Sequence, residues 1–167
     1  MGTAEIRLLK PEEWRTFRDL RVRALTDAPY AFGSTLAYEQ ALTDAQWRQR
    51  LARRAQFVVS IDGTPAATAA GIQARDRTAA ELVSMWVDPS CRGRGLGDLL
   101  VREVLAWATL QGLADVRLWV TEGNRRAERL YLRHGFTPTG ERQPVLPEDP
   151  TRFEFGMVRT LQDRPDR

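Results

Sequence analysis

Between Val87 and Leu99 the chain reads Val-Asp-Pro-Ser-Cys-Arg-Gly-Arg-Gly-Leu-Gly-Asp-Leu, with glycines at 93, 95 and 97 and arginines at 92 and 94. Glycine takes positive φ without steric cost and lets a backbone come close to a ligand. The run follows a β-rich stretch and leads into an apolar-periodic one, so the free N–H groups of a first helical turn face the loop. There the helix dipole favours an anion. A diphosphate is the natural occupant. Each dipole or charge contact is worth about 0.3–2 kcal/mol, so several together anchor a phosphorylated cofactor.

Three designs for holding phosphate compete with a plain glycine-rich turn. A Walker loop is excluded, because no Gly-Lys-Ser/Thr follows. A dinucleotide fingerprint needs G-x-G-x-x-G near the first strand and an acid about 20 residues on. Here the spacing is Arg92-x-x-Gly95-x-Gly97, and the loop follows the fourth strand. The third design is the one this spacing marks.

Little else in the sequence offers chemistry. Cys91 is the single cysteine, so an intrachain disulfide and a cysteine metal cage are excluded, and no metal site is expected. Its place near a helix start could lower its thiol pKa and allow an acyl-cysteine step. His134 is the single histidine, with no acid and nucleophile spaced to make a triad around it. Lys+Arg (25) exceed Asp+Glu (22) only slightly, and the arginines alternate with acids along helices, which argues against a nucleic-acid partner. No apolar run reaches the roughly 20 residues of a membrane span. There is no signal-peptide pattern, and Ile6 breaks a myristoylation motif at Met1-Gly2. The chain reads as cytoplasmic.

These residues need elements to position them. Ile6–Leu9 reads as a strand, and Pro11-Glu12-Glu13 starts a helix whose stripe is Trp14, Phe17, Val22 and Leu25, ending before Pro29. Tyr30 to Leu42 reads as irregular. Thr43 caps a second helix carrying Trp47 and Leu51. Gln56–Ile61, Pro65–Gln73 and Ala80–Val87 read as strands, the first two joined at Asp62-Gly63. A helix over Gly95–Gln111, a strand over Val116–Val120 and a helix over Asn124–His134 follow. Thr137–Arg142 and Phe153–Leu161 are the last strands, joined by a loop holding Pro144, Pro147 and Pro150. The economical architecture is α/β, one central mixed sheet of about seven strands flanked by about four helices. Residues 1–161 are expected to form one domain, with 162–167 a frayed tail.

Arg92-x-x-Gly95-x-Gly97 after a Val-Asp-Pro strand end resembles motif A of the GNAT acyltransferase superfamily. Asn124-Arg-Arg-Ala127-Glu-Arg-Leu130-Tyr131-Leu-Arg-His-Gly135-Phe136 resembles its motif B. Both together, at the expected separation over residues 81–136, are a strong signal. The resemblance implies the GNAT fold, acetyl-CoA as co-substrate and direct acetyl transfer to an amine. The rival readings are an inactive acyl-CoA-binding sensor and a transferase for another acyl group.

The resemblance also implies roles. Backbone groups of Met85, Trp86 and Val87 would pair with the pantetheine arm, one N–H acting on the thioester carbonyl. Arg92, Gly93, Arg94, Gly95, Leu96 and Gly97 would hold the diphosphate. Asn124 and Ala127 would contact the cofactor, Asn124 doubling as a helix N-cap. Tyr131 matches the usual general acid that protonates the leaving thiolate, or is a core aromatic. Glu81 resembles the base of histone-type members, sharing one face with Val83, Met85 and Val87 by strand alternation; Glu39, Glu122 and a water chain are rivals. Asp98 stands where relatives carry a basic or hydroxyl residue, and is expected to turn away from the phosphates. Tyr30, Phe32, Tyr38 and Glu39 fall where relatives build the acceptor pocket, although aromatics there equally serve packing. Members of the family often form homodimers.

Overall fold

A computed structural model describes residues 2–161; the tail expected to fray, 162–167, lies outside the described residues. The strands are β1 (Ala4–Leu8), β2 (Ala55–Ile61), β3 (Thr64–Gln73), β4 (Ala79–Val87), β5 (Asp115–Thr121), β6 (Thr137–Leu146) and β7 (Asp149–Thr160). The helices are α1 (Trp14–Asp27), α2 (Leu36–Gln40), α3 (Asp44–Ala52), α4 (Leu96–Leu110) and α5 (Arg125–Arg133). All seven strands form one sheet in the order β1-β2-β3-β4-β5-β7-β6. Every neighbouring pair is antiparallel except β4 and β5.

Apolar periodicity explains the layering. On α4, Leu96, Leu100, Val104 and Ala108 recur at helical spacing and bury against Phe57, Val59, Ala69 and Leu82 on one sheet face. On the opposite face, Trp14, Phe17, Leu20 and Leu25 of α1 pack with Trp47 and Leu51 of α3 over Val58 and Trp86. Phe17 and Trp47 meet edge to face, 5.3 Å between ring centres. Gly71 has no Cβ because Trp107 of α4 lies 2.5 Å from where one would stand.

The core elements fall where the sequence places them. Two regions differ. The stretch expected to be irregular contains α2, started by Thr35, whose side chain accepts from the Tyr38 N–H; this gives five α-helices among the described residues. The proline-rich loop is largely strand, with Pro144 opposite Phe153 and Leu146 opposite Asp149. Proline is tolerated there because β6 is an edge strand and needs no N–H on its open side. Pro150 lies beyond the β7 residues that pair with β5.

One irregularity creates the site. Thr68 opposes Trp86 and Ala70 opposes Val83, so Ser84 and Met85 together oppose Ala69, with Ser84 at φ +59°. This is a β-bulge, which bends a strand and increases its twist. The parallel pairing of β4 with β5 covers only Ala79–Glu81 against Asp115–Arg117. Beyond it the two strands splay apart.

Candidate functional site

The splay opens into a cleft of about 970 Å³, large enough for a cofactor. Its walls are Met85, Trp86 and Val87 of β4, the turn Cys91–Asp98 except Arg94, Thr121–Asn124 at the end of β5, the exposed side of α5, and Ala28, Tyr30, Ala31 and Phe32. Among the described residues, the β5-facing backbone of Leu82–Val87 has no strand partner. Buried backbone donors and acceptors seek partners, so an extended ligand arm fits this edge as an added strand does.

At one end of the cleft, Asp88 caps the turn by accepting from the Ser90 N–H at 2.9 Å, and Arg23 donates to its other oxygen at 2.7 Å. Gly95 is the N-cap of α4 with φ +81° and offers no side-chain cap. The N–H groups of Leu96, Gly97 and Asp98 belong to the first helical turn, which has no intrahelical acceptors. A Cβ at Gly93 or Gly95 would meet nothing within 4 Å, so left-handed backbone, not crowding, selects glycine there and leaves room for an anion. Gly97 has a different reason. A Cβ there would stand 3.0 Å from Leu130, so this glycine lets α4 and α5 approach.

Two arginines of the motif behave differently from the expectation. The Arg92 guanidinium is committed to the protein, donating to Asp27 at 2.5 Å and to the Val87 carbonyl at 3.1 Å. Trp86 donates to the same Asp27 oxygen at 3.0 Å, so the turn is tied to the end of α1. What Arg92 keeps for a ligand is its backbone and the Nη1 end of its guanidinium. Arg94 is not on the cleft wall. The cations lining the cleft come from α5 instead: Arg125, Arg126, Arg129 and Arg133. Arginine at 125, 129 and 133 repeats every four residues, a stripe the sequence displays and its reading passed over.

Asp98 turns to α5, as expected. Its carboxylate sits 2.7 Å from His134 Nε2 and 3.2 Å from Arg133. Burial pushes its pKa up, but the His134 and Arg133 hydrogen bonds outweigh this and hold it below the usual range. His134 thereby acts as a helix-end partner for Asp98. Asn124 caps α5 by accepting from the Ala127 N–H at 3.2 Å, and both residues line the cleft.

Tyr131 is 5% exposed and packs edge-on against Phe136, 5.8 Å between ring centres. It stands behind Ala127 and Leu130, which line the cleft while it does not. Burial pushes its pKa far above the ordinary tyrosine value, so the hydroxyl keeps its proton at any working pH.

Glu81 differs from expectation in its facing. Leu82, before the bulge, belongs to the α4-side core; after it, Met85 and Val87 pack on that core and Trp86 on the other. The extra residue at the bulge reverses the alternation. Glu81 and Val83 therefore face α1 and α3, opposite to Met85 and Val87. Glu81 is half-buried, at the last position where β4 and β5 pair.

The proposed acceptor residues divide. Tyr30 and Phe32 line the cleft, whereas Tyr38 is 63% exposed and away from it. Glu39 is wholly buried, between Arg21 at 3.4 Å and Arg50, and is not on the cleft wall. Burial opposes its charge, but the Arg50 hydrogen bond and the charge of Arg21 hold its pKa below the usual range. It is a structural counter-ion. Glu122 lies on the rim, bonded to Arg142 at 2.5 Å, which lowers its pKa.

Residues 14–136 match the acetyltransferase (GNAT) family. Among curated relatives, an uncharacterized N-acetyltransferase of Methanocaldococcus jannaschii is 32% identical over 98 residues, covering 54% of this chain and 42% of the relative. A mycothiol acetyltransferase of Thermobispora bispora is 34% identical over 122 residues, covering 71% and 41%. The matches thus span less than half the length of these relatives. Among solved structures, a GNAT-family acetyltransferase of Streptococcus pneumoniae superposes with a TM-score of 0.79 at 21% identity, over 96% of this chain and 100% of that one. The yncA protein of Salmonella typhimurium, solved with its cofactor acetyl-CoA, superposes with a TM-score of 0.80 at 19% identity, over 98% and 96%. These likenesses show a shared fold.

Proposed function

The chain belongs to the acetyltransferase (GNAT) family, and from that premise we propose that it transfers the acetyl group of acetyl-CoA directly to a primary amine. The observation that carries this reading is the unpaired edge of β4 followed, across the turn 88–94, by a left-handed glycine at the start of α4. The first offers hydrogen bonds to an extended pantetheine arm and the second offers N–H groups to a diphosphate. The acetyl-CoA in the fold neighbour supports the choice of ligand.

When bound, acetyl-CoA supplies an activated acyl thioester with a thiolate leaving group. The backbone N–H groups of Met85 and Val87 orient the arm, and one of them polarises the thioester carbonyl. Gly95, Leu96 and Gly97 amides hold the diphosphate, with Gly93 shaping the turn and the Arg92 side chain bracing it from behind. Asn124 and Ala127 fix the start of α5 against the arm, and the arginines of α5 add positive charge at the mouth. Tyr131 holds its proton through the whole working range and, once a bound arm reaches past Ala127 and Leu130 to its hydroxyl, would supply that proton to the leaving sulfur. Glu81 receives the proton that the amine loses. The bulge puts it on the α1 and α3 face, so the amine enters from one side of the sheet and the cofactor from the other. Tyr30 and Phe32 form the apolar wall of the amine's approach.

The test pairs calorimetry of acetyl-CoA binding with a screen of primary amines that follows release of the CoA thiol. Saturable one-to-one binding and amine-dependent thiol release are expected. Binding without transfer to any amine would favour a sensor, and no binding would defeat the reading.

A further inference from the structure

Helix α5 gathers positive charge on the face it turns to the cleft. Arg126, Arg129 and Arg133 stand at i, i+3 and i+7, so they share a face with Leu130, and all four line the cleft. Arg126 is the second residue of the helix, just after the Asn124 cap. In that turn the helix dipole favours an acid and opposes a guanidinium. Like charges one turn apart also repel each other. The acid of the turn, Glu128, lies on another side of the helix, with Arg125 and Leu132. Of the three arginines, only Arg133 has an ion-pair partner among the described residues, Asp98 at 3.2 Å. Nothing in α5 itself is stabilised by Arg126 and Arg129.

Two contacts fix where this face lies. The Leu130 side chain stands 3.0 Å from the Cβ that Gly97 lacks, and Arg133 reaches Asp98 in the same turn of α4. The face therefore runs alongside the first turn of α4, and Gly95, Leu96 and Gly97 line the same cleft. Arg126 and Arg129 are within about one helical turn of Leu130, and both are exposed. The free N–H groups of α4 serve a diphosphate without help from a side chain. The two arginines beside them are thus available to a different anion.

Acetyl-CoA has one charged group besides its diphosphate, the phosphate monoester on its ribose, which carries a charge of about −1.5 to −2 at neutral pH. Resting on the function proposed above, we infer that Arg126 and Arg129 bind this monoester, so that the protein selects acetyl-CoA over 3′-dephospho-acetyl-CoA. The monoester presents three oxygens to guanidinium forks, a match that a lysine point charge makes less well. It also supplies the negative charge that the first turn of α5 lacks on this face. Arg133, held by Asp98, adds only its field.

The test is calorimetry of acetyl-CoA and of 3′-dephospho-acetyl-CoA with wild type, with Arg126→Gln/Arg129→Gln and with Arg126→Lys/Arg129→Lys. Wild type is expected to bind acetyl-CoA about 30- to 100-fold more tightly at low ionic strength, as two charge-assisted contacts would give. Added salt should narrow that ratio. The glutamine pair should bring it below about threefold by weakening acetyl-CoA alone, with the dephospho ligand unchanged. The lysine pair should restore part of it. Both positions are exposed, so the variants are expected to keep the wild-type Tm. Equal affinities in wild type overturn the inference and leave the transferase reading standing. A glutamine pair that weakens both ligands alike also overturns it, because the arginines would then serve the diphosphate. If wild type binds neither ligand, the transferase reading fails and this inference fails with it.

Discussion

The α4 end of the cleft and the wall beneath α1 and α3 are both positive, but they are built by different means. At α4 the charge is partial and belongs to the backbone: a left-handed Gly95 and the unsatisfied N–H groups of one helical turn. Beneath α1 and α3 it is full and belongs to side chains, with Arg21, Arg50 and Arg54 gathered from separate elements around Glu39. Backbone dipoles are fixed by the helix itself and survive almost any change of neighbouring side chain. A cluster of one buried and two partly buried guanidiniums depends instead on each side-chain partner.

That contrast predicts where each substitution should act. The largest effect belongs to Glu39→Gln, which leaves the buried Arg21 and the partly exposed Arg50 without their shared counter-ion. A loss of about 3–5 kcal/mol in urea unfolding is expected. Because Glu39 is held below its usual pKa, its contribution is complete above the pKa of an unfolded glutamate. It fades as pH falls through the lower folded value, so the acid-side decline should be shallower in the Gln variant. An unchanged stability would make the cluster a surface feature.

Gly95→Val acts on the backbone device. Placing a β-branched residue at φ +81° should weaken acetyl-CoA binding by about 100-fold in calorimetry, with little change in the rest of the fold. Unchanged affinity would remove the glycine turn from the site. Tyr131→Phe should lower kcat by about 100-fold while leaving cofactor affinity alone. Because burial raises the pKa of this tyrosine, its donor form persists on the alkaline side, and the wild-type rate should show no falling limb up to about pH 10. Equal kcat in the variant would leave Tyr131 a core aromatic.

The smaller effect separates two glycines of one motif. Gly97→Val should cost about 1–3 kcal/mol of stability, because its side chain would press on Leu130. Its effect on acetyl-CoA affinity should be smaller than that of Gly95→Val. The reverse order would mean that the two glycines have exchanged roles.

The same contrast explains what the sequence displayed. The glycine turn, the Asn124 cap and the stripe of α4 are local patterns whose cause lies within a few residues, and they were legible. The bulge at Ser84 was not, because nothing in Val-Ser-Met marks an extra residue. It is defined only by the register with Ala69 on β3. Missing it put Glu81 on the wrong face. Glu39 read as an acceptor or base candidate because its partners lie 18 and 11 residues away on other helices. The binding of Arg92 to Asp27, 65 residues distant, was equally invisible.

The most direct test is a crystal structure of the protein with acetyl-CoA. The diphosphate should lie within hydrogen-bond reach of the Gly95–Gly97 amides, and the pantetheine arm should run along the free edge of Leu82–Val87 with the thioester beside Met85. A diphosphate held elsewhere, or an arm that leaves this edge unpaired, would contradict the site and the chemistry built upon it.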